Sequence, residues 1–221
     1  MTTRTIKALI FDFDGVITDT AEYHYQSWKR LAEEEGLHFS REINDQLRGV
    51  TRRESLRRLL NGQQIDEATA QAWMQRKNDY FHDHLNNFTP EHRLPGITRI
   101  LEQAQGQGMK LGIASASRNV RPALIKLGLM ETFDAIGDPA IVINNKPAYD
   151  VFVWTAGALG VGVREAIVFE DSDGGIDAAR NAGFYTVGLG TANVSHADLS
   201  FPDLAKVHLE TLITQLLATT R

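Results

Sequence analysis

Apolar residues along the chain fall into short unbroken runs that alternate with longer stretches of helical periodicity. Five runs read as buried strands: Ala8–Phe11, Lys110–Ala114, Asp134–Ile136, Ala166–Phe169 and Thr186–Leu189. A strand covered on both faces loses the polar–apolar alternation of a half-exposed one, so continuous runs point to a parallel sheet between two helical layers. The intervening spacing predicts helices over Ile97–Gln105, Pro122–Leu127, Asp150–Leu159 and Gly175–Ala182, with a closing helix over Asp203–Leu217. Strand alternating with helix predicts an α/β fold built on a doubly wound parallel sheet.

The alternation breaks after the first strand. From Thr20 to Phe88 there is no strand pattern, only helical stretches over Thr20–Glu35, Glu42–Leu47, Arg52–Leu60 and Asp66–Leu85. An insert of this length predicts a helical cap domain over residues 20–88, with 1–19 and 89–221 forming the α/β core. The segment "NNFTPEHRLPG", Asn86–Gly96, carries two prolines and reads as the return linker. Asp19 is placed to cap the first cap helix, and Thr51 with Glu54 fits a capping box at the third.

Composition narrows the setting. With no cysteine, disulfides and thiolate metal sites are excluded. A formal net charge of −5 argues against bulk nucleic-acid binding. No apolar run reaches the ~20 residues of a membrane helix, and the start, "MTTRTIK", has no signal-peptide core behind it. A cytoplasmic monomer without nucleic-acid or membrane partners is expected.

Ligands of open α/β sheets bind where strands end at their carboxyl side. Asp12 and Asp14 follow the first strand, Ser115 the second, Glu170 and Asp171 the fourth, and Lys146 precedes a helix. One such acid would be an ordinary solvated strand end; acids at two strand ends together with Ser115 and Lys146 favour a site. A carboxylate can form an aspartyl-phosphate, and a second one two residues on lies on the same side of the strand and can move a proton there. Clustered carboxylates suit Mg²⁺, while a hydroxyl and an ammonium can hold phosphoryl oxygens.

Four ordered segments, "DFDGVITDT", "ASAS", "NKPAYD" and "FEDSDGGI", resemble the motifs of the haloacid dehalogenase superfamily. In the cap, "TAEYHYQSWKRLAEEEG", "LRGVTRRESL" and "RKND" resemble its β-phosphoglucomutase branch. The resemblance implies a Rossmann-like core and interconversion of β-glucose 1-phosphate and glucose 6-phosphate. The route it implies runs through a phospho-enzyme, with β-glucose 1,6-bisphosphate as primer and intermediate and small sugar phosphates as the only partners. By the same resemblance, Asp12 is the nucleophile and Asp14 the general acid/base. Mg²⁺ is held by the Asp12 carboxylate, the Asp14 carbonyl and Asp171, with Glu170 alongside. Ser115, Ala116, Ser117, Arg118 and Lys146 surround phosphate, and Asn119 contacts the other phosphate.

Cap residues extend the expected site. His24 and Trp28 lie one helical turn apart, just beyond the catalytic loop. Gly49, Val50 and Thr51 lead into a helix start whose free N–H groups suit an anion, with Ser55 in the same turn. Of Arg48, Arg52, Arg53, Arg57 and Arg58, Arg52 is expected to grip a distal phosphate and the rest to form a solvated face. Lys77 shares a helical face with Trp73, Tyr80 and Phe81, so it either snorkels or meets an anion; the family match favours the anion. Three positions depart from the family: Arg118 for lysine, Tyr149 for proline, and Asp173, beside the expected metal, for a neutral residue. A sugar-phosphate phosphatase uses the same core motifs and stands as the alternative to a mutase. A non-catalytic binding protein would be expected to have lost Asp12, Asp14, Lys146 or Asp171.

Overall fold

The structure, a computed structural model, describes residues 5–47, 49–190 and 194–218. Its strands are β1 (Ala8–Phe11), β2 (Lys110–Ala114), β3 (Ala135–Gly137), β4 (Ala166–Glu170), β5 (Tyr185–Leu189) and β6 (Leu199–Phe201). They form one sheet in the order β3-β2-β1-β4-β5-β6, and every neighbouring pair is parallel. Phe11 lies opposite Ile113 on one side and Phe169 on the other, so β1, β2 and β4 end on one line.

Alternation explains the unbroken apolar runs. Leu9, Phe11, Ile113 and Phe169 enter one apolar cluster, while Ala8, Ile10 and Val168 enter a second. Successive side chains point to opposite faces, and here both faces are covered. Helices α5 (Ile97–Gly106), α6 (Val120–Lys126) and α9 (Leu209–Ala218) contribute to the first cluster, and α7 (Asp150–Ala158) and α8 (Asp173–Asn181) to the second.

The insert after β1 contains α1 (Ala21–Glu34), α2 (Arg41–Asp45), α3 (Arg52–Leu60) and α4 (Glu67–Leu85). Trp28, Leu31, Leu56, Leu59 and Met74 form an apolar cluster of their own. Beyond it, Phe81, Leu85 and Phe88 join the core cluster beside Val16 and Ile17. The far end of α4 is thus anchored to the sheet layer, and the rest packs on α1 and α3. No helix among the described residues is long and apolar enough to cross a membrane.

Several local expectations need correction. The closing helix begins at Leu209, not Asp203, because the Arg99 guanidinium donates to the carbonyls of Leu204, Ala205 and Val207 at 2.7–2.9 Å. Those carbonyls have their hydrogen bonds without a helix. β6 has no counterpart in the sequence reading; it is a three-residue edge strand, partly exposed, held beside β5 by Asp198, which accepts from the Thr186 N–H at 2.7 Å. The capping box of α3 is half made: Thr51 accepts from the Glu54 N–H at 3.4 Å, but the Glu54 carboxylate is taken by Arg57 and Arg58. Asp19 accepts from the Ala21 N–H at 3.0 Å, a contact at the start of α1, while Thr20 occupies the cap position itself.

Candidate active site

At the carboxyl rim the first loop is pressed against the fourth strand. The Asp12 N–H donates to the Phe169 carbonyl at 2.9 Å, continuing the ladder. Gly15 turns the chain with a positive φ of 81°, and a Cβ there would lie 2.2 Å from Asp171 Oδ2. Only glycine allows that approach. Carboxylate oxygens of Asp12, Glu170 and Asp171 consequently lie within 4.8 Å of one another.

Lys146 is buried among them. Its Nζ donates to Asp12 Oδ1 at 2.7 Å and to Glu170 Oε2 at 2.8 Å, and sits 4.6 Å from the Phe152 ring centre. The second oxygen of Glu170 accepts from the Ser172 hydroxyl at 2.7 Å and the Ser172 N–H at 3.1 Å. Glu170 is thereby committed to fixing Lys146 and the start of α8. Burial, then the Glu170 charge, push the Asp12 carboxyl up to about 8 against the opposing pull of Lys146. Burial disfavours the Lys146 ammonium, but Asp12 and Glu170 outweigh it and hold it above its ordinary value. Asp12 and Glu170 share the Lys146 ammonium, and Asp171 brings a third carboxylate to the cluster. An all-oxygen donor set of that charge fits a hard divalent cation such as Mg²⁺.

Asp14 faces the cap instead. Thr20 Oγ1 donates to Asp14 Oδ1 at 2.5 Å, and His24 Nε2 lies 3.7 Å from the same oxygen, an electrostatic approach rather than a full hydrogen bond. His24 is stacked on Phe81 at 4.3 Å, with Nδ1 at 2.7 Å from Lys77 Nζ. An ammonium can only donate, so Nδ1 accepts and the ring proton is on Nε2, toward Asp14. Burial works against the Asp14 carboxylate, but His24, Thr20 and the Lys77 charge outweigh it and hold it below its ordinary value. Burial, then the Lys77 charge, lower His24.

Lys77 does not snorkel. It is 2% exposed, with Nζ 5.2 Å from the Trp28 ring centre and 5.1 Å from that of Phe81. Burial, then the charge of Arg52, push it well below its ordinary value. A buried cation with so few compensating groups costs stability. Lys77→Met is therefore expected to stabilise the ligand-free protein by about 1–3 kcal/mol while impairing turnover. Thermal denaturation checks this, and a lower melting temperature would contradict it.

The loop after β2 supplies the opposite wall. Ser115 Oγ accepts from the Ser117 N–H at 3.0 Å and Ser117 Oγ from the Asn119 N–H at 3.1 Å, winding the chain into α6. Across the gap, burial and then the Arg118 charge bring the Arg52 guanidinium down to about 10. Two adjacent cations of this kind suit an anion.

One cavity of about 680 Å³ collects these groups. Asp12, Asp14, Asp171, His24, Trp28 and Lys77 line it, as do Gly49, Val50, Thr51, Arg52 and Ser55 from the start of α3 and Ala116, Ser117, Arg118 and Asn119 from the β2 loop. Ser115, Lys146 and Glu170 are buried and do not line it. Arg53 pairs with Glu67, and Arg57 and Arg58 with Glu54, as expected of a solvated face; Arg48 lies outside the described residues. Tyr149 is 49% exposed and away from the cavity. Asp173 faces His196 at 3.6 Å rather than the acid cluster. Sequence reasoning missed Thr20, Asn78 and His82. Asn78 and His82 lie four residues apart on α4, and both reach Asn119, at 2.9 and 3.0 Å; polar residues flanking the buried Phe81 were the available signal.

Comparisons with known proteins agree with this geometry. The family described as haloacid dehalogenase-like hydrolase matches residues 9–189. The β-phosphoglucomutase of Bacillus subtilis is 40% identical over 212 residues, covering 94% of each chain. The fructose-1-phosphate phosphatase YqaB of Escherichia coli is 31% identical over 179 residues, 81% of this chain and 94% of its own. The crystal structure of β-phosphoglucomutase from Clostridium difficile superposes with a TM-score of 0.92 at 34% identity, covering 96% of this chain and 97% of that one. The chain thus belongs to the haloacid dehalogenase-like hydrolase family, as an enzyme of its phosphotransferase type homologous to β-phosphoglucomutase.

Proposed function

We propose that the enzyme interconverts β-D-glucose 1-phosphate and glucose 6-phosphate on a phosphorylated Asp12. In this scheme the sugar 6-hydroxyl attacks the phosphorus carried by Asp12. Asp14 takes the hydroxyl proton and the bond from phosphorus to Asp12 breaks, giving β-glucose 1,6-bisphosphate. The bisphosphate then presents its other end. The Asp12 carboxylate attacks the 1-phosphoryl group, Asp14 returns the proton to the departing O1, and glucose 6-phosphate leaves with Asp12 phosphorylated again. Bisphosphate added from solution primes the first cycle. Asp12 and Asp171, with Glu170 alongside, would hold Mg²⁺, which would supply positive charge at the transferring phosphoryl oxygens.

The observation that carries this reading is a cavity with an acidic end suited to a Mg²⁺-bound phosphate and a second end of donors. Asp12, Asp14 and Asp171 lie at one, while Arg52, Arg118 and Asn119 offer donors for a second phosphate. A monophosphate phosphatase needs only the first end. We read residues 20–88 as a cap that closes over the sugar and excludes water from the aspartyl-phosphate, with 1–19 and 89–221 as the core. A site complete within one chain supports a monomer, and a cysteine-free chain acting on sugar phosphates suits the cytoplasm.

A sugar-phosphate phosphatase is the second reading, favoured by phosphatases among its relatives, the fructose-1-phosphate phosphatase YqaB included. Incubation with β-glucose 1-phosphate, Mg²⁺ and β-glucose 1,6-bisphosphate separates the two. The mutase reading expects glucose 6-phosphate with little free phosphate; free phosphate without the isomer establishes the phosphatase.

A further inference from the structure

Two polar side chains on α4, Asn78 and His82, cross to the core and take part in no step above. Asn78 Oδ1 accepts from the Arg52 guanidinium and from Asn119 Nδ2 at 2.9 Å. Asn119 Oδ1 lies 3.0 Å from His82 Nε2. The direction of this chain is fixed at one end, because a guanidinium only donates. Asn78 therefore turns its oxygen to Arg52, and Asn119 turns its NH2 to that same oxygen. The Asn119 oxygen is left to accept from a protonated Nε2 of His82. Asn78 Nδ2 also comes within 3.4 Å of that nitrogen; with a proton on Nε2 both atoms are donors, so the pair is a close approach and not a bond.

We propose that Asn78 and His82 form a clasp between cap and core that positions the Arg52 guanidinium and the Asn119 amide toward one phosphate. His82 is a positioning residue that acts through Asn119. After the clasp is made, Asn119 retains one N–H and Arg52 retains several, and both residues line the cavity. Without it, Arg52 faces the repulsion of Arg118 unanchored, and ligand binding must order both groups. The role toward phosphate rests on the distal-phosphate reading above; the clasp itself does not.

His82→Leu removes the donor, whereas His82→Gln keeps an N–H at similar reach. Both are made in the full chain carrying Asp12→Asn, which blocks turnover, and titrated with β-glucose 1,6-bisphosphate by calorimetry in Mg²⁺. Hydrogen exchange of residues 51–55 and 115–119 is followed without ligand. His82→Leu is expected to weaken the bisphosphate about tenfold and to speed exchange in both segments. His82→Gln should stay within about threefold of the parent in affinity, with parental exchange. Equal loss in the two variants, or no change in His82→Leu, overturns the clasp. If the parent binds no bisphosphate, the mutase reading fails alone and exchange decides the clasp: faster in His82→Leu but not in His82→Gln upholds it, any other pattern overturns it.

Discussion

An Asp12→Asn protein is expected to fold and to convert β-glucose 1-phosphate roughly four to six orders of magnitude more slowly than the parent. The amide is nearly the same shape as the carboxylate, and its oxygen can still accept from Lys146, now 2.7 Å from Asp12 Oδ1. What it lacks is a nucleophilic oxygen to carry the phosphoryl group. The substitution also takes away one of the two carboxylates that share the Lys146 ammonium. Stability without metal should therefore hold or rise. Saturating Mg²⁺ should stabilise the parent by about 2.7 kcal/mol at a hundredfold excess over its dissociation constant, and the variant by less. Glucose 6-phosphate formation, thermal denaturation with and without Mg²⁺, and mass spectrometry for an aspartyl-phosphate read these outcomes. A rate within tenfold of the parent would exclude every scheme that passes through a phosphorylated Asp12.

Lys146→Met should produce the largest loss of stability. Its Nζ serves two buried carboxylates at 2.7 and 2.8 Å, and methionine fills the space without the charge. Removing one member of a buried ion pair costs about 3–5 kcal/mol, or roughly 6–20 °C of melting temperature for a chain of this size. Mg²⁺ should recover part of that loss by replacing some of the missing positive charge, and activity should fall with or without recovery. The sign separates this site from Lys77: an ammonium between two carboxylates stabilises, whereas one stacked between aromatic rings does not. A Lys146→Met protein that melts with the parent would mean that the Lys146 charge does not hold Asp12 and Glu170 together.

The core was legible in the sequence because its signals are local. Ala8–Phe11 and Lys110–Ala114 have the same bounds in sequence and structure, since an apolar run that stops at a polar residue, Asp12 or Ser115, marks both strand and rim. Asp12, Ser115, Glu170 and Asp171 were readable as the residues just past such runs. Features set by contacts distant in sequence were not legible. The start of α9 depends on Arg99 reaching carbonyls more than a hundred residues away. β6 depends on Asp198 meeting Thr186. Glu54 looked like a capping partner, yet two arginines on its own helix compete for it with full charge. The charge of Lys77 was visible, but not that its neighbours are rings and a histidine. Asn78 and His82 gain meaning only when α4 is laid against the loop bearing Asn119.

The position of β1 in the sheet has a consequence for assembly. Of the six described strands β1 is synthesised first, yet its partners are Lys110–Ile113 and Ala166–Phe169. Closing loops of that length is slow because the entropy of joining the ends is lost before the contacts form. The inserted helices, whose apolar cluster draws on residues 28–80, can condense early, while "ALIF" waits for β2 and then for β4 to emerge. During translation that segment is an unpaired strand exposed to aggregation. Refolding experiments should show helix formation ahead of Mg²⁺ binding, because the acids meet only when the last of these strands docks. The strand that leads to Asp12 is thus made before its two partners and the acid cluster is completed late, so a truncated chain that ends before β4 carries Asp12 but no Glu170 or Asp171 beside it.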